Sequence, residues 1–393
     1  MPDAFILAAA RTPVGKFLGE LSELTAPQLG AIALKEALAR AKVPAEKIDE
    51  AIFGNVLQAG VGQNPARQVA LKAGLPDTIS AVTVNKVCGS GLQAVMQAAQ
   101  AIRAGDAELV AAGGIESMSR APHLLFGART GWKYGDQKVV DSVVHDGLTC
   151  AFEHCGMGEA AEYIAAKCHV SRAEQDQFAA RSHQRAAAAW QSGAFADEVV
   201  PVTVGSGAKA KTVSRDEGIR PETTPDSLAR LRPVFKSDGS VTAGNSSQLS
   251  DGAAAVIVGT EAAARRLGVQ PLARIVAYAT SGVAPKDLFI APISAIRMVL
   301  DKAKLRPGDI DLFELNEAFA AQMLACGKGL ELSDDRVNVH GGAIALGHPI
   351  GASGARVLTT LLYALKRRQA KRGLASLCLG GGNAVAMVVE RIS

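Results

Sequence analysis

The stretch Ala81-Val82-Thr83-Val84-Asn85-Lys86-Val87-Cys88-Gly89-Ser90-Gly91-Leu92 decides how this chain folds. Ala81–Val84 reads as a strand, and Cys88-Gly89-Ser90-Gly91 opens a long Ala-rich helix that ends near Gly105. Glu108–Gly114 reads as the next strand. Upstream, Phe5–Ala10 and Glu50–Val56 are expected to be strands, and Pro27–Ala41 and Ala66–Ala73 helices. The alternation predicts an α/β fold with a largely buried sheet.

The carboxyl-terminal third runs on the same plan. Asp309–Leu315 reads as a strand, Ala318–Lys328 as a helix and Arg336–Val339 as a strand. Gly341–Gly354 leads into the helix Ala355–Arg368, and the strand Leu374–Leu379 meets Gly380-Gly381-Gly382. Two stretches of the same order imply a duplicated βαβ unit. They would put Cys88 and His348 at related helix entrances. From about Ser117 to Thr242 the pattern weakens into loops such as Thr203–Arg215 and Pro221–Pro225, around a helical stretch Arg172–Ser192. A long irregular segment inside a compact enzyme is usually functional, and this one reads as an insertion that covers a site.

Bulk properties narrow the function. With 393 residues, 48% hydrophobic and 20% charged, the chain has material for two or three domain-sized units. Lys and Arg number 42 against 38 Asp and Glu, and a net charge of +4 gives no field that implies nucleic acid. The run Lys366–Arg372 reads as the solvated end of a helix. No apolar segment approaches the roughly 20 residues that span a bilayer. The amino terminus reads as a strand rather than a signal peptide, and Glu390-Arg391-Ile392-Ser393 matches no targeting signal, so a cytoplasmic location is expected. Six scattered cysteines suggest free thiols in a reducing compartment.

Four windows carry chemistry. A cysteine where a strand turns into a helix meets the positive end of the helix dipole, so Cys88 is expected to favour thiolate; free N–H groups of that first turn could hold an oxyanion. His348, in Gly347-His348-Pro349-Ile350-Gly351-Ala352-Ser353-Gly354, is presented by small residues and suits the role of base for a thiol. Cys378 is a second thiol, facing Gly-rich backbone. Asn316 opens Asn316-Glu317-Ala318-Phe319 and would also serve as a plain helix cap.

In this order the four windows resemble the thiolases of acetyl-CoA acetyltransferase type, along essentially the whole chain. The resemblance implies a layered α-β-α-β-α core of two similar halves. Residues 1–117, with 243–270 returning to them, would form the amino-terminal half, 118–242 a loop domain for coenzyme A and oligomer contacts, and 271–393 the carboxyl-terminal half. It implies a homotetramer or homodimer, with coenzyme A and acetyl-CoA as substrates and no tightly bound cofactor or metal. By the same match Cys88 is the nucleophile, His348 its base and an oxyanion donor, and Cys378 the acid/base on the α-carbon. Asn316 holds a water at one oxyanion site, and Gly380 gives a backbone N–H to the other. Arg220 and Ser227 would lie near the nucleotide of coenzyme A, with Ser247, Met157 and Phe319 along the acyl-pantetheine path.

The sequence departs from that family at Gly156, where many short-chain members carry histidine, and at Asn383. Rival readings are a broader-chain degradative thiolase, a 3-oxoacyl synthase of the same fold, and a non-catalytic acyl-CoA carrier. A fourth is a metal site drawn from Cys150, His154, Cys155, Cys168 and His169.

Overall fold

The computed structural model describes residues 2–392; Met1 and Ser393, the ends of the two terminal stretches read above, lie outside them. Nine principal strands and eight principal helices matter for the site. The amino-terminal half contains β1 (Ala4–Arg11), α1 (Ala26–Arg40), β2 (Glu50–Gly54), α2 (Pro65–Ala73), β3 (Ser80–Val84), α3 (Ser90–Ala104) and β4 (Leu109–Ser117). The intervening segment holds α4 (Met157–Lys167) and α5 (Arg172–Gln191) before the chain returns as β5 (Ser250–Thr260). The carboxyl-terminal half comprises β6 (Ala273–Gly282), α6 (Ala291–Ala303), β7 (Leu312–Leu315), α7 (Ala320–Leu330), α8 (Ser353–Arg368), β8 (Arg372–Leu379) and β9 (Asn383–Arg391).

The strands join in the order β7-β8-β9-β6-β1-β5-β4-β2-β3, with the short strand Gly15–Lys16 beside β5. The order is that of two copies placed edge to edge: β1-β5-β4-β2 repeats as β6-β9-β8-β7. Within each copy the two strands nearest the outer edge pair in parallel and the others antiparallel. Even the irregularities repeat, since β1 slips register between Ile6 and Ala8 and β6 between Ile275 and Ala277. Among the described residues, Phe5↔Arg274 and Ile6↔Ala273 are the strand pairs that join the two halves of the sheet.

Alternation along each strand separates three apolar layers. Ile6, Val256, Ile275, Leu377 and Met387 point between the halves and pack on α3 and α8. Leu7, Ile257 and Ile115 face outward onto α1 and α2, while Leu374, Val388 and Leu315 face α6 and α7. The result is the expected α-β-α-β-α stack. Both central helices approach closely at glycine: a Cβ on Gly354 would stand 2.3 Å from Leu92 N, and one on Gly91 2.8 Å from Ala355 N. Helix α8 is accordingly buried from Ser353 to Leu365 and meets water only at Lys366, Arg367 and Arg368.

Two local expectations change. Arg336–Val339 forms isolated bridges from Val337 to Phe313 and from Val339 to Gly341 instead of a continuous strand. Asn338 has a φ of 46°, and its side chain accepts from Leu315 N and donates to Leu315 O, both at 2.8 Å, so a side chain replaces the ladder there. Within Thr203–Arg215, Val202–Val204 and Lys211–Val213 pair as a hairpin.

Candidate active site

Cys88 stands at the elbow between β3 and α3. The preceding Val87 has a φ of 47°, in the left-handed region that strains a β-branched residue. Local hydrogen bonds hold it there: Val87 N donates to Asn85 Oδ1 at 3.0 Å, and Ser90 Oγ donates to Val87 O at 2.6 Å while accepting from Lys86 N at 2.8 Å. The elbow leaves Cys88 half-buried among Ile350, Leu148 and Met118.

The thiol's environment overturns one expectation. Desolvation pushes Cys88 up to about 12, against the pull of the Cys88 and Gly380 N–H groups, and the nearby Glu116 pushes it further up. A helix end supplies only a partial charge, which does not repay removing a full thiolate charge from water. Cys88 therefore rests as a thiol and needs a base. Cys378, next to last in β8 and buried with Phe319, Ala318 and Phe289, is also raised, first by burial and then by Cys88 and Cys326. That mutual effect puts the two thiols within electrostatic reach.

His348 is the candidate base. Its backbone N–H donates to Gln248 O at 3.0 Å and Ser250 Oγ at 3.1 Å, fixing the loop before α8. On the ring, Nδ1 lies 2.6 Å from Ser353 Oγ, and that hydroxyl donates to Pro349 O at 2.9 Å. Ser353 must then accept from Nδ1–H, which leaves the lone pair on Nε2. Asn316 Nδ2 approaches Nε2 at 3.4 Å. Burial, with a smaller contribution from the Arg356 charge, lowers His348 to about 3, so the imidazole is neutral.

Asn316 is anchored by its backbone N–H to Ser376 O at 3.0 Å, and its Oδ1 is a buried acceptor with no protein partner. Next to it the Glu317 carboxylate accepts from Ser182 Oγ at 2.6 Å, Asn338 Nδ2 at 2.9 Å and Ile344 N at 3.2 Å. Gly380 begins the turn between β8 and β9, where Gly381 and Gly382 take φ values of 81° and 90°. Cys88 thus reaches Gly380 and Cys378 electrostatically, Asn316 meets His348, and Cys88 packs against the apolar cluster that holds Ile350 of the His348 loop.

The substrate-binding candidates divide. Met157 and Phe319 pack in the apolar cluster that holds Cys378, and Phe235 meets Phe319 edge-on at 6.4 Å. Ser247 N donates to Ala318 O at 3.0 Å, so this segment adjoins the Asn316 loop. Arg220 and Ser227 are exposed on the inserted segment. Arg220 N donates to His183 Nδ1 at 3.1 Å, and Ser227 closes a capping box with Thr224. Cys150, His154, Cys155, Cys168 and His169 do not converge: among the described residues no three or more His, Cys, Asp or Glu side chains group as a metal ion requires.

Sequence reading passed over Val87, Ser353, Glu317, His183 and Glu116 as site residues. Val87, Glu317 and Ser353 lay inside the quoted windows, next to Cys88, next to Asn316 and five residues after His348; His183 and Glu116 carried no local signal.

Residues 4–262 match the thiolase N-terminal domain family and residues 269–391 the thiolase C-terminal domain family. The chain is 52% identical over 395 residues to an acetyl-CoA acetyltransferase of Cupriavidus necator, with both chains fully covered. It is 51% identical to one of Escherichia coli over 394 residues, again covering both chains fully. Among solved structures it is similar to a Bacillus anthracis acetyl-CoA acetyltransferase, with a TM-score of 0.98 and 44% identity. It is also similar to human mitochondrial 3-ketoacyl-CoA thiolase, with a TM-score of 0.97 and 43% identity. Each comparison covers 100% of this chain and 99% of the other.

Proposed function

The chain belongs to the thiolase family and is an acyltransferase with thiolase activity, and from that premise we propose that Cys88, His348, Cys378, Asn316 and Gly380 carry a reversible acetoacetyl-CoA condensation. One observation supports the assignment: a neutral imidazole, its Nδ1–H held by Ser353 and its Nε2 lone pair facing Asn316, stands on a loop whose Ile350 belongs to the apolar cluster that Cys88 packs against.

In the first half-reaction the Cys88 proton passes to His348 Nε2 and the sulfur attacks the acetyl-CoA carbonyl. The carbon–sulfur bond to coenzyme A breaks, and His348 returns the proton to the departing sulfur. The N–H groups of Cys88 and Gly380 receive the oxyanion on this carbonyl. In the second, the Cys378 proton passes to His348 Nε2 and the Cys378 thiolate takes an α-proton from another acetyl-CoA; the carbanion attacks acetyl-Cys88, the acetyl–sulfur bond breaks to release acetoacetyl-CoA, and His348 returns its proton to the Cys88 sulfur. Asn316, with an unpartnered buried Oδ1, is suited to hold a water that stabilises the enolate oxygen together with His348 while Nε2 carries the proton taken from Cys378.

Met157 and Phe319 are read as walls of the acyl path, Ser247 as a contact along the pantetheine arm, and Arg220 and Ser227 as contacts near the nucleotide. Segment 118–242 would then be the loop domain between halves 1–117 with 243–270, and 271–393. Coenzyme A and acetyl-CoA act as substrates, with no tightly bound cofactor. A homotetramer or homodimer is supported by the exposed Leu125, Phe126, Trp132 and Tyr134 in one loop. No helix among the described residues is long and apolar enough to cross a membrane, in keeping with a proposed cytoplasmic site.

Thiolysis of acetoacetyl-CoA against a longer 3-oxoacyl-CoA, by wild type and Cys88→Ala, tests the reading. Turnover abolished by the substitution supports it, and the rate ratio sets the chain-length class. Turnover retained without Cys88 overturns it.

A further inference from the structure

Glu116, the penultimate residue of β4, is fully buried, yet no step above uses it. Its carboxylate accepts four hydrogen bonds from two separate segments. Oε1 takes Asn55 Nδ2 at 2.6 Å and Leu57 N at 3.2 Å. Oε2 takes Val56 N at 3.1 Å and Gly351 N at 2.9 Å. The first three donors belong to the turn after β2; Gly351 belongs to the loop that carries His348. Space around Gly351 is closed as well, since a Cβ there would lie 2.7 Å from both Glu116 Oε2 and Ile115 O. The charge also acts on Cys88.

We propose that Glu116 is a positioning residue for the thiolase reaction: as a carboxylate it clamps the His348 loop to the end of β2 and so fixes the imidazole relative to Cys88. The inference rests on the reading of Cys88 and His348 given above.

The number of acceptors decides the ionisation state. Four N–H groups converge, two on each oxygen, so both oxygens must be lone-pair acceptors. Protonation, or replacement by an amide, turns one oxygen into a donor facing two N–H groups, whichever way the group is flipped. The titratable groups coupled to the carboxylate are Asp251 on β5, itself bonded to Ser119 N and Oγ, and Cys88, whose thiol feels the Glu116 charge. Burial, opposed by the N–H groups of Gly351, Val56 and Leu57, leaves Glu116 titrating at about 7. The clamp should release as pH falls through that value. His348 gains its proton only near 3 and Cys88 loses its own near 12, so neither accounts for an ionisation at neutrality.

The test is the pH profile of acetoacetyl-CoA thiolysis, at saturating substrate, for wild type, Glu116→Gln, Glu116→Asp and Cys88→Ala. The expected result is a wild-type kcat that falls on the acid side of about pH 7. Glu116→Gln should lose about 10- to 100-fold in kcat, with KM within about twofold and no acid limb, because a misplaced base slows chemistry without weakening coenzyme A binding. Glu116→Asp should recover part of the rate together with the limb. A Glu116→Gln enzyme with wild-type kcat and acid limb would overturn the inference. If that variant does not fold, a wild-type profile without a limb near pH 7 overturns it instead. Turnover by Cys88→Ala would mean that the underlying site assignment is wrong, a failure distinct from that of Glu116.

Discussion

Ser353 Oγ lies 2.6 Å from His348 Nδ1 and spends its own proton on Pro349 O. A hydroxyl so committed can only accept from the ring, which decides the tautomer of a buried histidine. Ser353→Ala removes that acceptor and leaves Nδ1–H unpaired. The expected outcome is a drop in kcat of about 10- to 100-fold, with KM changed little, since the wrong tautomer presents a proton to Cys88 instead of a lone pair. Steady-state thiolysis alongside a thermal melt checks it; an unchanged kcat would remove the tautomer argument.

Asn316→Ala deletes the group that faces His348 Nε2 and the buried Oδ1 beside it. Loss of one oxyanion-site contact costs about 100- to 1000-fold in kcat. The burst of coenzyme A released when acetyl-CoA acylates Cys88 should be affected less than overall turnover, because in the proposed mechanism the first oxyanion rests on the N–H groups of Cys88 and Gly380. Rapid-quench measurement separates the two.

The raised Cys88 pKa has a direct chemical readout. Below about 12 the thiolate fraction rises with pH, so alkylation of Cys88 by iodoacetamide should quicken about tenfold per pH unit from neutrality to about pH 9, with no plateau. A plateau near neutrality would restore the thiolate that the helix-end position suggested. Mass spectrometry of the Cys88 peptide against time gives the rates.

Stability should depend on Arg11, which is wholly buried at the end of β1. Its Nε meets Glu198 Oε1 at 2.6 Å and its Nη1 meets Asp216 Oδ1 at 2.7 Å, tying the inserted segment to the amino-terminal half. Arg11→Met strands two buried carboxylates, and breaking such a cluster costs about 3–5 kcal/mol. Urea unfolding should show the loss, and it should shrink in acid, where Glu198, already raised by burial, protonates.

The sequence by itself determined the fold class and the duplication, and it held the windows proposed here as catalytic. Its apolar strands, Ala-rich helices and Gly-rich turns recur in one order, and those features follow from local sterics and periodicity. Asn338 shows the limit on the structural side: a side chain took over a ladder that the strand pattern around it predicted. Cys88 shows it on the chemical side. Its position at a helix entrance was legible, but its protonation state was not, because desolvation depends on what β8, β4 and the His348 loop bring against it. Glu116 was invisible for the same reason. A carboxylate in a strand says nothing of its donors until Asn55, Val56, Leu57 and Gly351, the last 235 residues away, are folded around it. Tertiary structure alone decided which groups lost their water, and that loss sets the acid–base chemistry of the site.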